Sequence, residues 1–186
     1  MDEYIEEYDY KGNPTGKRIL KSYAHKKGLL HSTIHLWLYT VNGDLLVQKR
    51  SKSKKINPGV WDIISVAGHI EYSESTKDAA IREAYEEVGL ELNKSELKKT
   101  GTYFFKKVYK NLIDAEFHNA FIYEIKKESI NVKFKNNEVD ELKFIKIAEV
   151  KKIIENKSKG YLIFDNSLQY YKDVLFDINS KINQDS

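Results

Sequence analysis

The order of elements along the chain predicts an α/β/α sandwich built on a mixed sheet. Three observations carry that prediction. A capped, helix-forming stretch over residues 75–88 lies between strand-like runs, an Asn42-Gly43 turn signal joins two of those runs, and helical segments at 148–156 and about 164–180 close the chain. Helices set between and after the strands of one sheet must bury their apolar stripes on its faces. No internal repeat or low-complexity linker interrupts the 186 residues. The expectation is therefore one domain over 1–186, with 1–28 as an N-terminal hairpin extension and 148–186 as the closing helices.

In order, residues 3–23 read as a hairpin, turning in the cluster Lys11-Gly12-Asn13-Pro14-Thr15-Gly16. Residues 29–40 are strand-like, Asn42-Gly43 signals a type I′ turn, and 44–50 form the partner strand. Residues 49–55 are basic and end near Pro58-Gly59, after which 61–66 read as a short buried strand leading to Gly68. Beyond the central helix, 100–109 and 115–125 alternate as paired strands, and 142–147 form another behind the acidic run 138–141. The last helix stacks Leu168, Tyr171, Leu175 and Ile178.

Composition narrows the function classes. Basic and acidic residues number 31 and 28 and are dispersed, so neither nucleic acid nor an anionic membrane is an expected partner. The N-terminal MDEYIEEYDYKG reads as neither signal nor transit peptide, and the apolar run 29–41 is broken by His31, Ser32, Thr33 and His35, so it cannot span a membrane. Cysteine is absent, which removes disulfide and thiol chemistry. The expected location is the cytoplasm; oligomeric state is not readable.

Residues 68–90, GHIEYSESTKDAAIREAYEEVGL, carry the chemistry. Ser73 or Ser75 can cap the helix, alanines favour it and Gly89 stops it. Ile81, Ala84, Tyr85 and Val88 form an apolar stripe, with Glu83, Glu86 and Glu87 expected on the opposite side. Such carboxylates can be no more than a solvated face. Yet like charges at i, i+3 and i+4 repel by about 0.2–0.5 kcal/mol per pair, and the helix C-terminal end disfavours them further. A hard divalent cation with oxygen ligands, Mg²⁺ above all, removes both penalties.

The spacing Gly68, Glu74, Arg82-Glu83, Glu86-Glu87, Gly89-Leu90 resembles the Nudix box at every fixed position. The resemblance implies a Nudix α/β/α sandwich and a Mg²⁺-dependent hydrolase, with Mn²⁺ also possible. The substrate would be a small molecule, nucleoside-diphosphate-X or a related diphosphate. It implies that Glu83, Glu86, Glu87 and the carbonyl of Gly68 hold the metal. Glu87 or a loop carboxylate, Glu138 or Glu141, would orient or deprotonate the water, while Arg82 pairs with the box glutamates and Glu74 braces the loop.

Outside the box, Arg50-Ser-Lys-Ser-Lys54, Pro58-Gly59-Val60-Trp61 and Ser65-Val66-Ala67-Gly68-His69 look like the type I isopentenyl-diphosphate isomerases and the hydrolases grouped with them. By that likeness Arg50 and Lys54 would hold a diphosphate, which a guanidinium and a mobile ammonium suit; a solvated basic loop is the plainer alternative. His25, His31, His69, Asp114 and Glu116 fall at or near a second metal site, of a kind that suits Mn²⁺ or Zn²⁺. Ordinary strand and loop histidines are the alternative, and His35 and His118 are expected to be structural. Ala67 replaces the isomerases' cysteine and can move no proton, so hydrolysis is expected over isomerisation. Isomerase or isoprenoid-diphosphate hydrolase activity, and a non-catalytic nucleotide-binding module, are the competing readings. Tyr103, Phe104, Tyr109, Phe117 and Tyr161 are candidates for stacking on a base or for packing.

Overall fold

The computed structural model describes residues 2–54, 56–131, 136–164 and 167–184. Lys55 of the basic loop and residues 165–166, near the expected start of the last helix, lie outside the described residues. The elements are β1 (Tyr4–Tyr8), β2 (Pro14–Leu20), α1 (Lys21–Lys27), β3 (His31–Tyr39), β4 (Asp44–Arg50), β5 (Trp61–Asp62) and β6 (Val66–His69). Then follow α2 (Thr76–Val88), β7 (Lys98–Val108), β8 (Ile113–Glu124), β9 (Val139–Lys146), α3 (Ile147–Glu155), β10 (Tyr161–Leu162) and α4 (Leu168–Gln184). β1 and β2 form a separate two-stranded sheet, and the main sheet runs β10-β5-β4-β3-β8-β7, with β6 added to β3 and β9 to β4. β3 and β8 are parallel while β3–β4, β4–β9 and β7–β8 are antiparallel, so the sheet is mixed and the fold α/β.

The sheet splits where the site forms. β3 and β4 pair at Tyr39 and Leu45 and then diverge. β6 takes up the freed edge of β3, and β5 that of β4. Ser65 ties the fork: its hydroxyl donates to Leu46 O at 2.7 Å and accepts from Leu38 N at 2.8 Å. Residues 61–66 are thus not one strand, because the two halves find different partners across the fork.

Strand alternation sends Ile34, Leu36 and Leu38 into a core shared with α2, and Trp37 and Tyr39 into one shared with α3 and α4. Trp37 is fully buried, and its indole N–H donates to Tyr170 Oη at 2.9 Å, as a buried donor requires.

Three further expectations change. Residues 21–27 are helical, ending at Gly28 in the left-handed region (φ 64°) behind His25, Lys26 and Lys27, the pattern of a glycine stop after a basic last turn. At the 42–43 turn Gly43 has φ 72°, while Asn42 is not among the positive-φ residues. Thr40 N donates to Asp44 O and Gly43 N to Thr40 O, both at 2.9 Å. The turn is therefore a three-residue loop with glycine at the left-handed position, not type I′.

The third change concerns α2. Ser75 caps it, accepting from Asp78 N at 3.2 Å, and Gly89 ends it at φ 69°. Its buried face, however, is Ala79, Ala80, Glu83, Ala84, Glu87 and Val88, and Tyr85 is 61% exposed. Small alanines let the helix approach the sheet closely, and the sheet side receives two of the three glutamates, Glu83 in the space over Gly68 and Glu87 on the donors of Gln48 and Ala67.

Candidate active site and metal centre

β6 carries both halves of the site on opposite faces. Gly68 faces α2, and the Glu83 carboxyl group fills the space a side chain would need: a Cβ on Gly68 would lie 2.0 Å from Glu83 Cδ. One turn on, Glu87 Oε2 accepts from Gln48 Nε2 at 3.0 Å and from Ala67 N at 3.1 Å. Gln48 on β4 and Ala67 on β6 stand on the two sides of the fork, so Glu87 bridges it. Gln48, buried and polar, went unread in the sequence; its partner lies 39 residues away.

Arg82 organises the rest. Its Nε and Nη2 each donate to Glu74 at 2.9 Å, Nη1 donates to Glu83 at 2.9 Å and Glu86 at 3.3 Å, and Nη2 also donates to His69 O at 2.9 Å. Glu86 is the exposed member of the trio. This guanidinium gathers Glu83 and Glu86 with Glu74, while Glu87 is held separately by Gln48 and Ala67 N.

Electrostatics single out the buried pair. Burial raises the Glu83 carboxyl to about 7, against the opposing charge of Arg82. Burial and then the neighbouring Glu83 raise Glu87 to about 8. An all-oxygen donor set that is costly to ionise is what a hard divalent cation relieves, so the residues fit Mg²⁺ or Mn²⁺. A pH dependence follows. Both folded values exceed the ordinary 4.5, so the protons are held more tightly in the folded state. Their contribution to stability is complete below about 4.5 and is lost as pH rises through 7 to 8. In EDTA, the melting temperature of the protein should therefore fall, relative to that of Glu87→Gln, between pH 5 and 8.5. Added Mg²⁺ should raise it more at pH 8.5 than at pH 5.5. Parallel pH profiles for the two proteins in thermal unfolding would contradict this.

The basic loop lies beside the pair. Lys54 Nζ is 2.7 Å from Glu138, which also shares a side-chain hydrogen bond with Glu87. Burial opposes ionisation of Glu138, but Lys54 outweighs it and holds the carboxyl below its ordinary value. Glu141 on β9 stands opposite Lys49 on β4, half exposed, with their charged ends 3.5 Å apart. Of the two loop carboxylates, Glu138 is the one beside Glu87. Among the described residues, Arg50 has a 3.9 Å approach to Asp62 and a 3.4 Å hydrogen bond to Ile56 O, and its buried Nε has no hydrogen-bond partner. A guanidinium so weakly satisfied is suited to an anion.

On the other face of β6 the histidines meet. Among the described residues, His25, His31, His69 and Glu116 form the one group of at least three potential ligands whose offered atoms all lie within 4.8 Å of one another. Glu116 Oε1 is 3.6 Å from His25 Nε2, 3.4 Å from His31 Nε2 and 3.7 Å from His69 Nε2. His25 Nδ1 is 2.8 Å from Lys21 O, and His31 Nδ1 is 2.9 Å from Leu29 O. Carbonyls only accept, so each neutral ring carries its proton on Nδ1 and turns the Nε2 lone pair toward Glu116. Among the described residues, His31 Nε2, His69 Nε2 and Asp114 Oδ1 are buried without a hydrogen-bond partner. Three orphaned ligand atoms beside a carboxylate fit a borderline divalent ion such as Mn²⁺ or Zn²⁺.

Charge in this group is divided unevenly. Burial alone would raise Glu116, but the hydrogen bond from His118 and the nearness of His25 and His31 hold it well below the ordinary range. Burial and the Glu116 charge raise Asp114, 3.4 Å from His25, to about 6. Burial, then the charge of Lys21, holds His69 well below its ordinary value. Tyr109 lies alongside, raised to about 12 by burial and by Asp114 and Glu116, with a hydrogen bond to Asn57. The other aromatic candidates pack elsewhere. Tyr103 donates to Asp173, Tyr161 accepts from Lys143, and Phe104 and Tyr8 flank Phe117.

A mixed, forked sheet whose short strand sets a glycine against an acid-bearing helix defines the class. The chain belongs to the NUDIX domain family, whose model matches residues 29–165, and it is a Nudix hydrolase. It is 33% identical over 162 residues to an uncharacterised Nudix hydrolase of Clostridium acetobutylicum, covering 86% of this chain and 77% of that one. It is 30% identical over 165 residues to isopentenyl-diphosphate Delta-isomerase 2 of Photorhabdus laumondii, covering 88% and 89%. The crystal structure of DR0079 from Deinococcus radiodurans shares the fold, with a TM-score of 0.68 at 16% identity over 91% of this chain and 98% of that one.

Proposed function

We propose that this Nudix hydrolase cleaves the diphosphate linkage of a small molecule, nucleoside-diphosphate-X or a related diphosphate, with Mg²⁺ or Mn²⁺ held by Glu83, Glu86, Glu87 and the Gly68 carbonyl. The observation that carries the reading is the buried Glu83–Glu87 pair, Glu83 pressed against Gly68, with the two carboxyls raised by burial to about 7 and 8. A bound divalent ion would supply charge neutralisation on the phosphate oxygens. The chain's own groups supply position: Arg82 fixes the acidic helix, Gln48 and Ala67 N fix Glu87, and Arg50 and Lys54 bind the diphosphate. Glu87 takes the proton of the attacking water, with Glu138 rather than Glu141 as the supporting carboxylate. Residues 1–186 act as one domain in the cytoplasm, without nucleic acid or membrane partners; among the described residues no helix is long and apolar enough to cross a membrane.

The histidine–Glu116 group and the isomerase relative favour a second reading, an isoprenoid diphosphate as substrate. Isomerisation itself is disfavoured, because Ala67 opposite His35 offers no proton. The test is a screen of nucleoside, dinucleotide, sugar-nucleotide, coenzyme A and isoprenoid diphosphates with Mg²⁺ and Mn²⁺, scoring phosphate-containing products. Metal-dependent hydrolysis of one class is the expected result. Dimethylallyl diphosphate formed without phosphate release would favour isomerisation, and binding without turnover would favour a sensing module.

A further inference from the structure

Behind the histidine group lies a buried polar chain that the proposed hydrolysis does not use. Glu116 divides its two oxygens: Oε1 faces His25, His31 and His69, while Oε2 is 2.9 Å from His118 Nε2. His118 is two residues further along β8, on the same face, and is 3% exposed. A carboxylate oxygen can only accept, so His118 carries a proton on Nε2 and donates it. The His118 ring is clamped in turn: its centroid is 4.0 Å from that of His35 and 5.3 Å from that of Phe105. His35 Nδ1 is 3.0 Å from Tyr170 Oη, which accepts from Trp37 Nε1 at 2.9 Å. Indole N–H is donor only, which leaves the Tyr170 proton free to go to His35.

We propose that His118 is a positioning residue for the histidine centre: by occupying Glu116 Oε2 it presents Oε1 alone to His25, His31 and His69, and His35 with Tyr170 holds its ring in place. This rests on reading the histidine group as a divalent-metal site, and nothing in the family likeness drawn from the sequence assigns His118 a role. Without the donor, the Glu116 carboxylate is free to rotate, and its approach to the three Nε2 atoms is no longer fixed. Groups that orient a ligand in this way change metal affinity by about 10- to 100-fold when removed.

The test is Co²⁺ titration of the full chain, read by ligand-field absorption and calorimetry, for the unmodified protein and for His31→Ala, His118→Gln, His118→Asn and His118→Leu. The unmodified protein should bind Co²⁺ with a histidine-type spectrum that His31→Ala abolishes. His118→Leu should bind about 10- to 100-fold more weakly with an altered spectrum. His118→Gln, whose amide can still donate to Oε2, should recover most of the affinity. His118→Asn, a second disrupting variant with too short a reach, should resemble His118→Leu. A purely structural role would lower the melting temperature and leave the Co²⁺ spectrum unchanged. Unchanged affinity and spectrum in the folded Leu or Asn variant overturns the proposal while leaving the metal centre standing. Absence of Co²⁺ binding to the unmodified protein, or binding indifferent to His31→Ala, overturns the metal centre itself.

Discussion

Glu87→Gln and Glu86→Gln are each expected to leave the fold intact and to lower Mg²⁺-dependent turnover by two or more orders of magnitude, about 3 kcal/mol or more of transition-state stabilisation. The two reach that result by different routes. Glu87 is buried, and a glutamine can keep its carbonyl oxygen on the Gln48 and Ala67 donors, so packing and hydrogen bonding survive. What disappears is the negative charge and the capacity to take a proton from water. Glu86 is largely exposed and tied to the rest by one 3.3 Å bond from Arg82, so its replacement costs little stability. On the proposed function, its loss would remove one of three anionic ligands from a cation that must offset the charge of a diphosphate. Steady-state kinetics at saturating metal, with circular dichroism to establish folding, tests both variants. Retention of most activity in both would rule out the acidic helix as the catalytic metal site.

Arg82→Ala should damage stability and turnover together. The side chain makes five hydrogen bonds, to Glu74, Glu83, Glu86 and the carbonyl of His69. Three carboxylates lose their counter-charge at once, and Glu83 is already difficult to ionise where it lies. Removing one partner from a buried ion-pair network costs about 3–5 kcal/mol; with a quarter of the Arg82 side chain exposed, about 2–4 kcal/mol is expected. Arg82→Lys should recover part of the stability but little of the turnover, because one ammonium cannot hold both oxygens of Glu74 and also reach His69 O. Urea unfolding alongside kinetics measures both effects. An alanine variant within 1 kcal/mol of the parent and normally active would show that Arg82 is a surface charge only.

The contrast between these residues marks what was readable in the chain. The box spacing named Glu83, Glu86, Glu87 and Arg82, yet amphipathic periodicity set all three glutamates on the solvent side of α2. Tyr85 and Ile81 looked like the core stripe because they are larger and more apolar than alanine. In the fold the alanine face wins, since it permits close approach to the sheet, and Gln48, Gly68 and Ala67 N receive the carboxylates. None of those receiving groups lies within a helical turn of its partner, so helix periodicity had no access to them. In the same way, the basic-then-glycine ending at residues 25–28 held the signal for α1, but the preceding strand-like residues drew the segment into the hairpin.

By itself, the sequence determined the boundaries of α2, through the Ser75 cap and the Gly89 stop, the places where the chain turns, and the chemical types of the site residues. Those signals act through backbone geometry and hydrogen bonds spanning a few positions. Only the tertiary structure decided which face of α2 is buried, that the sheet forks between β3 and β4, and that His25 from a helix meets His31, His69 and Glu116 from three strands. Strand register and helix docking set those distances, and both are fixed by burial between segments far apart in the chain.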